Sequence, residues 1–268
     1  MMELALHSLL VGTASVCGLM LLLWLIHLPM KNAAIVDAGW AGGLALLGAI
    51  YAAGGGYAPR SWLVAAMAML WGLRLALYLL FTRVIGRPEE GRYVQLRREW
   101  GGNLPLKFLA FFQFQALLCI VLSIPFLVAA LNSRPQITLL EYAAAALWLV
   151  AFIGEWLSDY QLQVFKSNPA NRGKTCRAGL WRYSRHPNYF FEWLIWMAFA
   201  LFALRSPYGY LALVSPILIL FFLFRVTGIP ATEAQALRTK GDDYRQYQQA
   251  TSVFVPWFPR NSTCRQTL

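Results

Sequence analysis

Apolar residues fall into long uninterrupted runs, separated by short polar segments. Runs near Leu4 to Leu28, Ala33 to Ala53, Ser61 to Phe81, Phe108 to Leu131 and Ile137 to Trp156 each approach the roughly 20 helical residues that cross a hydrocarbon core. A further stretch from Tyr189 to Phe224 is too long for one helix. It breaks at Arg205, Ser206, Pro207, Tyr208 and Gly209, which predicts a helical hairpin. The pattern therefore predicts an all-α, polytopic integral membrane protein with seven transmembrane helices. The first run lacks a basic leading segment and exceeds a signal-peptide core, so it is expected to be retained. From Ala231 to Ala250 the chain turns polar with Tyr244 and Tyr247 interleaved, and it becomes apolar again at Val253 to Phe258. This C-terminal segment, about 230–268, is expected to fold back against the bundle mouth on the cytoplasmic side. No repeat or linker interrupts the chain, so residues 1–268 are expected to form one domain.

Composition agrees, since 59% of residues are hydrophobic and 13% charged, more apolar surface than a water-soluble fold of this length can hide. The net charge of +11 would raise the question of nucleic acid in a soluble protein, but here the cations sort by alternate loops. Nineteen of the 23 Lys and Arg fall on one side; Arg60, Arg134 and Arg205 fall on the other, and Arg74 lies inside the third helix. The positive-inside rule then places the N-terminus outside and the C-terminus in the cytoplasm. The eleven Trp and twelve Tyr suit interfacial belts as well as pockets. Cys17, Cys119, Cys176 and Cys264 have no metal-ligand spacing, so neither a metal site nor a disulfide framework is expected.

Five ionisable residues fall in or at the ends of the apolar runs: Asp37, Arg74, Glu155, Asp159 and Glu192. Each requires a partner, a wet cavity or a function. The topology puts all five in the inner half, with Arg74 about 10 to 14 Å from the cytoplasmic end of its helix, so one polar cavity open to the cytoplasm would serve them. Glu155 and Asp159, spaced i, i+4, share a helix face and need a cation or donors opposite. Arg83, Arg87, Lys166, Arg172, Lys174 and Arg177 add material for a phosphate site, though plain topology or anionic lipid would account for the same charges. Of the three His, His7 and His27 read as packing residues. His186 falls in a segment dense in basic, aromatic and polar groups, where Pro187 can open a helix whose free N–H groups suit a ligand.

That segment, GLWRYSRHPNYFFE (179–192), is preceded by SDYQ (158–161) and followed by DDYRQYQ (242–248) and FVPWFP (254–259). Together with an acid in helix two and an Arg-bearing helix three ending in GRP, it resembles the steroid 5α-reductase family, in particular its bacterial membrane-protein branch. The resemblance implies an NADPH-dependent reductase of a bacterial inner membrane, with its active site facing the cytoplasm, and a monomer is expected. Its reaction would saturate the carbon–carbon double bond of a 3-oxo-Δ4 steroid or similar apolar enone that enters from the lipid. The family's cofactor residues correspond to Arg74, Arg87, Glu155, Asp159, Lys166, Asn188, Glu192 and Arg225, and His186, from its own segment, is expected at the same cofactor site. Asn188 and Glu192, one turn apart, would meet the nicotinamide carboxamide, and Arg74, Arg87 and Lys166 would meet phosphates. Asp37 takes the place of the family's catalytic Glu, held protonated in an apolar setting to polarise the substrate carbonyl. Trp71 stands where the family has its partner Tyr, and an indole donates a hydrogen bond but is no acid.

The RHPNY segment is also similar to isoprenylcysteine carboxyl methyltransferases, which bind S-adenosylmethionine. They carry a paired Glu-Glu where this chain has Glu233-Ala234. A transporter or lipid-binding scaffold is the third class, but it would need polar groups continuing through the outer half.

Overall fold

The computed structural model describes residues 2–226 and 228–260, so Cys264 lies outside the described residues. It is 78% helical and has no strand among those residues. Six helical runs are long and apolar enough to cross a membrane: Glu3–Met30, Ile35–Ala53, Ala58–Val84, Leu104–Leu122, Leu139–Ser167 and Gly209–Lys240. The chain has the make-up of an integral multi-pass membrane protein. The helix expected as a sixth span, Pro187–Ala203, is as apolar as these but has 17 residues, a length at the lower limit for spanning.

Two compact units divide the chain, Met1–Ala143 with Phe199–Ser215, and Ala144–Ala198 with Pro216–Leu268. In the first unit α1 (Met2–Met30), α2 (Ile35–Ala53) and α3 (Ala58–Leu79) follow the apolar runs. α2 and α3 approach backbone to backbone because Gly72 has no Cβ; one added there would lie 2.6 Å from the Ala41 carbonyl oxygen. α3 ends in a wider π-helical turn, Leu80–Val84, closed by the Ile85 N–H donating to the Leu80 carbonyl at 2.9 Å.

The fourth apolar run is not one helix. It forms α5 (Leu104–Leu122) and a short α6 (Ile124–Ala130), because Pro125 in the first turn of α6 cannot donate to the preceding turn. A short helix that hydropathy does not predict, α4 (Gly91–Trp100), lies between α3 and α5.

Arg60, expected in an outer loop, is instead fully buried at the start of α3. Its guanidinium pairs with Glu141 and donates to the carbonyls of Asn132 at 2.9 Å, Arg134 at 2.6 Å and Gln136. A charge taken this far out of water is tolerated because all its donors are used, and losing one partner of such a pair costs about 3 to 5 kcal/mol.

The second unit holds most of α7 (Leu139–Ser167), α8 (Pro187–Ala203) and α9 (Val214–Arg225), then α10 (Ile229–Lys240) and α11 (Asp242–Ala250). α7 continues about three turns beyond Trp156, so Glu155 and Asp159 lie well inside it rather than at its end. The four sequence segments GLWRYSRHPN, SDYQ, DDYRQYQ and FVPW meet here through hydrogen bonds. Gln161 on α7 accepts from the Leu180 N–H at 2.9 Å, and the Trp181 indole donates to the Ser158 carbonyl at 2.9 Å. This approach needs the positive φ of Gly179 (57°). Tyr247 on α11 donates to the carbonyls of Trp181 and Ser184, and the Ser184 hydroxyl donates to the Phe254 carbonyl at 2.8 Å.

Candidate functional site

In the first unit the chemistry gathers at the start of α2. A helix begins with N–H groups that have no intrahelical partner. Here Glu89 accepts from the Ala33 N–H at 2.7 Å, and the Asn32 side chain accepts from Ala34 at 3.0 Å while donating to the Arg87 carbonyl at 3.4 Å. The loop after α3 is thereby fastened to the turn before α2. Arg97 holds the same Glu89 through Nε at 2.7 Å and Nη2 at 3.0 Å.

Asp37 lies in the first turn of α2 with 19% of its side chain exposed. Its Oδ1 accepts from the Tyr93 hydroxyl at 2.7 Å, its Oδ2 accepts from Arg92, and Arg83 Nη1 stands 3.9 Å from Oδ2. Glu90 accepts from Arg83 at 3.3 Å and pairs with Arg92 at 3.4 Å. The apolar setting expected around Asp37 is therefore corrected. Guanidinium groups and a phenol surround it, because α4 delivers Arg92 and Tyr93 together.

Burial and then the neighbouring Asp37 charge push the Tyr93 phenol well above its ordinary range. Burial works against the Arg92 charge, but the adjacent Asp37 outweighs it and Arg92 is held above its ordinary value. Tyr93 is thus a neutral donor and Arg92 a permanent cation. Trp40, three residues after Asp37 and on the same helix face, meets Trp71 edge to face at 6.0 Å. Trp71 is fully buried, Arg74 follows it on that face of α3, and Arg87 is exposed.

In the second unit Asn188 donates to Asp159 Oδ1 at 3.4 Å, joining the start of α8 to α7, where Asp159 and Glu155 are both buried. Glu192 is half-buried one turn along α8, and Arg225 is exposed at the end of α9. His186 is buried and stacked on Tyr189, with Nε2 at 3.3 Å from Glu233. Glu233 also accepts from Arg185 at 2.7 Å, Tyr244 at 3.3 Å and Gln248 at 2.8 Å. Arg185 in turn donates to the carbonyls of Gln248 and Thr251.

Beyond the end of α7 a cleft of about 290 Å³ is lined by Lys166, Arg172, Lys174 and Lys240, with no carboxylate in its wall. Such a wall favours a phosphate. The sequence had indicated Lys166, Arg172 and Lys174; Lys240 comes from α10. Nearby, Asp243 accepts from the Thr175 N–H at 2.7 Å and from Arg177 at 2.8 Å. Burial pushes the Asp243 carboxyl up, but the Thr175 hydrogen bonds and the Arg177 charge together hold it below its ordinary value.

Of the residues indicated by sequence, Asp37, Trp71, Arg74 and Arg87 belong to the first unit. Glu155, Asp159, Lys166, His186, Asn188, Glu192 and Arg225 belong to the second. Sequence reasoning missed Tyr93 and Arg92, whose one signal is an Arg-Tyr pair inside a loop of alternating charge. No group of three or more His, Cys, Asp or Glu could hold a metal among the described residues.

Comparison with curated proteins and with solved structures finds no match. A family model described as a protein of unknown function, DUF1295, matches residues 23–251, and the chain belongs to that family.

Proposed function

We propose that this chain is an NADPH-dependent membrane reductase of the steroid 5α-reductase type, which saturates the double bond of an apolar enone. The observation that carries the reading is the Tyr93 hydroxyl held on Asp37 at 2.7 Å, with Arg92 on the other carboxylate oxygen. Reducing an enone at its β-carbon leaves negative charge on the carbonyl oxygen, and fixed donors aimed at that oxygen stabilise it. Asp37, ion-paired and accepting, is the positioning residue in this scheme. When substrate binds, the neutral Tyr93 phenol would turn its single O–H from Asp37 to the carbonyl oxygen, and the Arg92 guanidinium would donate beside it, with Arg83 adding positive charge. This assignment departs from the family resemblance, in which the acid itself donates.

The basic cleft fits a dinucleotide phosphate, and Lys166, Arg172, Lys174 and Lys240 would hold it. Asn188 and Glu192 would orient the carboxamide, with Asp159 fixing the Asn188 side chain. His186 supports that end of α8 through Glu233 rather than meeting the cofactor. NADPH, when bound, supplies hydride. The topology that goes with this reading has seven spans, with Pro187–Ala203 as the sixth. It places the N-terminus outside and the C-terminus in the cytoplasm of a bacterial inner-membrane protein. An apolar substrate is expected to enter from the lipid.

The methyltransferase reading is less well supported, because Glu233 and His186 are engaged with each other and with Arg185. The test is thermal stabilisation of the detergent-purified chain by NADPH, NADH and S-adenosylmethionine, followed by NADPH consumption against a panel of 3-oxo-Δ4 steroids and simpler enones. Stabilisation by NADPH with enone-dependent consumption is expected. A response to S-adenosylmethionine alone overturns the proposal.

A further inference from the structure

We propose that the loop from Ala250 to Arg260 is a lipid-docking surface that receives the headgroup of an anionic phospholipid. The loop is closed and rigidly mounted. Its ends are tied by the Arg260 N–H donating to the Ala250 carbonyl at 2.8 Å. Its middle is pinned to the segment before α8 by the Arg185 N–H on the Ser252 carbonyl at 2.8 Å, the Ser184 hydroxyl on the Phe254 carbonyl at 2.8 Å, and the Trp257 N–H on the Tyr183 carbonyl at 2.9 Å. A compact loop with joined ends presents whatever side chains point away from its mounting.

Those side chains are sharply divided. Phe254 is 6% exposed, packed against Phe190, Trp193 and Phe224 at ring distances of 5.6, 6.0 and 5.1 Å. Trp257 is 70% exposed and Phe258 77% exposed, and Val255 faces outward beside them. Large aromatic rings fixed in water forfeit much of the stabilisation their burial provides. A contiguous patch held out by backbone hydrogen bonds marks a surface with a partner.

Position and charge identify that partner. The mounting residues, Tyr183 to Arg185, immediately precede the apolar helix that Pro187 opens. The loop therefore lies at the level where that helix leaves water, the depth at which Trp is favoured. Between the loop and Arg185 is a cleft of about 500 Å³, lined by Arg185, Arg260, Gln248 and Gln249 with Trp257 and Phe258 at its apolar side, and without a carboxylate. Arg185 and Gln248 are turned to Glu233, so the Arg260 guanidinium and the Gln249 amide are the groups that suit a phosphate ester, and the two rings suit the first carbons of its acyl chains.

The experiment uses the full chain with a photoreactive benzophenone side chain, Phe258→p-benzoylphenylalanine, in liposomes of phosphatidylethanolamine with either phosphatidylglycerol or phosphatidylcholine. Intact mass after irradiation is expected to show a phospholipid adduct, with phosphatidylglycerol preferred. Arg260→Gln in the same background is expected to cut that preference about fivefold, the effect of one cation at an anionic surface. An adduct to a second copy of the chain, no adduct, equal labelling by the two lipids, loss of labelling in millimolar inorganic phosphate, or an unchanged preference in Arg260→Gln overturns the proposal.

Discussion

Asp37 in the first unit and Glu233 in the second are built from similar parts and end differently. Each carboxylate is met by two consecutive residues of another segment, Arg92 with Tyr93 in one case and Arg185 with His186 in the other. A carboxylate has about four acceptor sites. Glu233 receives two further donors, Tyr244 and Gln248, and Arg185 donates through Nη1 to two backbone carbonyls. Among the described residues Asp37 receives two close donors, with Arg83 standing off at 3.9 Å. Its donors come from α4, a short helix between Gly86 and Gly101, both at positive φ. A saturated carboxylate fastens a scaffold, whereas one met by few donors leaves the cations and the phenol it positions able to serve a ligand.

The sharpest way to break this contrast is to remove the charge at Asp37. Asp37→Asn is expected to lower kcat at least about hundredfold, the typical loss when a fixed donor at a developing oxyanion is misplaced. Thermal stabilisation by NADPH should persist. Tyr93→Phe should act in the same direction with little change in KM, since it removes a donor needed only as charge develops. If both variants instead lose thermal stability and keep turnover per folded molecule, Asp37 is a second scaffold knot and the contrast fails.

Glu233→Ala should do the reverse. It strands Arg185 in a mostly buried place, and a loss of roughly 3 kcal/mol of stability is expected, measured by chemical denaturation in detergent. Turnover per folded molecule should hardly move. A variant with wild-type stability and no activity would show that Glu233 serves the reaction directly and would revive the methyltransferase reading.

How much of this was legible in the sequence follows from which interactions are local. The spans α1, α2 and α3 were readable because hydropathy is a property of the run itself. The limit of α7 was not, because SDYQLQVFKS keeps helical geometry while alternating polar and apolar residues, so hydropathy falls before the helix ends. The basic cleft was partly readable. Lys166, Arg172 and Lys174 are near neighbours in sequence, whereas Lys240 reaches the same wall from α10. Asp37 was conspicuous as an acid at the start of an apolar run. Its partner Tyr93 was not, since it lies 56 residues away on a helix too short and polar to register in hydropathy. Arg60 was misplaced for a similar reason: a charge at a span end reads as solvated until carbonyls from a distant loop enclose it.

The cleft gives a smaller test of the same contrast. Lys174→Gln removes one of four cations and is expected to weaken NADPH binding about tenfold, equivalent to about 1.4 kcal/mol. NADH binding should be less affected if this wall takes the additional phosphate. The loss should shrink at high salt, because a partly exposed ammonium is screened. An equal loss for both nucleotides would place a different part of the dinucleotide there.

The smallest effect expected is acid release of α11. Asp243 holds the loop around Thr175 through an N–H at 2.7 Å and pairs with Arg177. Its carboxyl lies below the ordinary value of 3.8. A depressed carboxylate contributes stability that is complete above its unfolded value and fades as pH falls through the folded one. The difference in stability between the native chain and Asp243→Asn should therefore be constant from neutral pH down to about 4 and narrow only below that. The Thr175 amide should lose protection from hydrogen exchange over the same interval. Because Asp243 is well exposed, the difference should also fall with added salt. The Glu233 knot, enclosed by four donors, should show little of that salt sensitivity. If the Asp243 difference narrows at neutral pH instead, some group other than this carboxylate holds α11 in place.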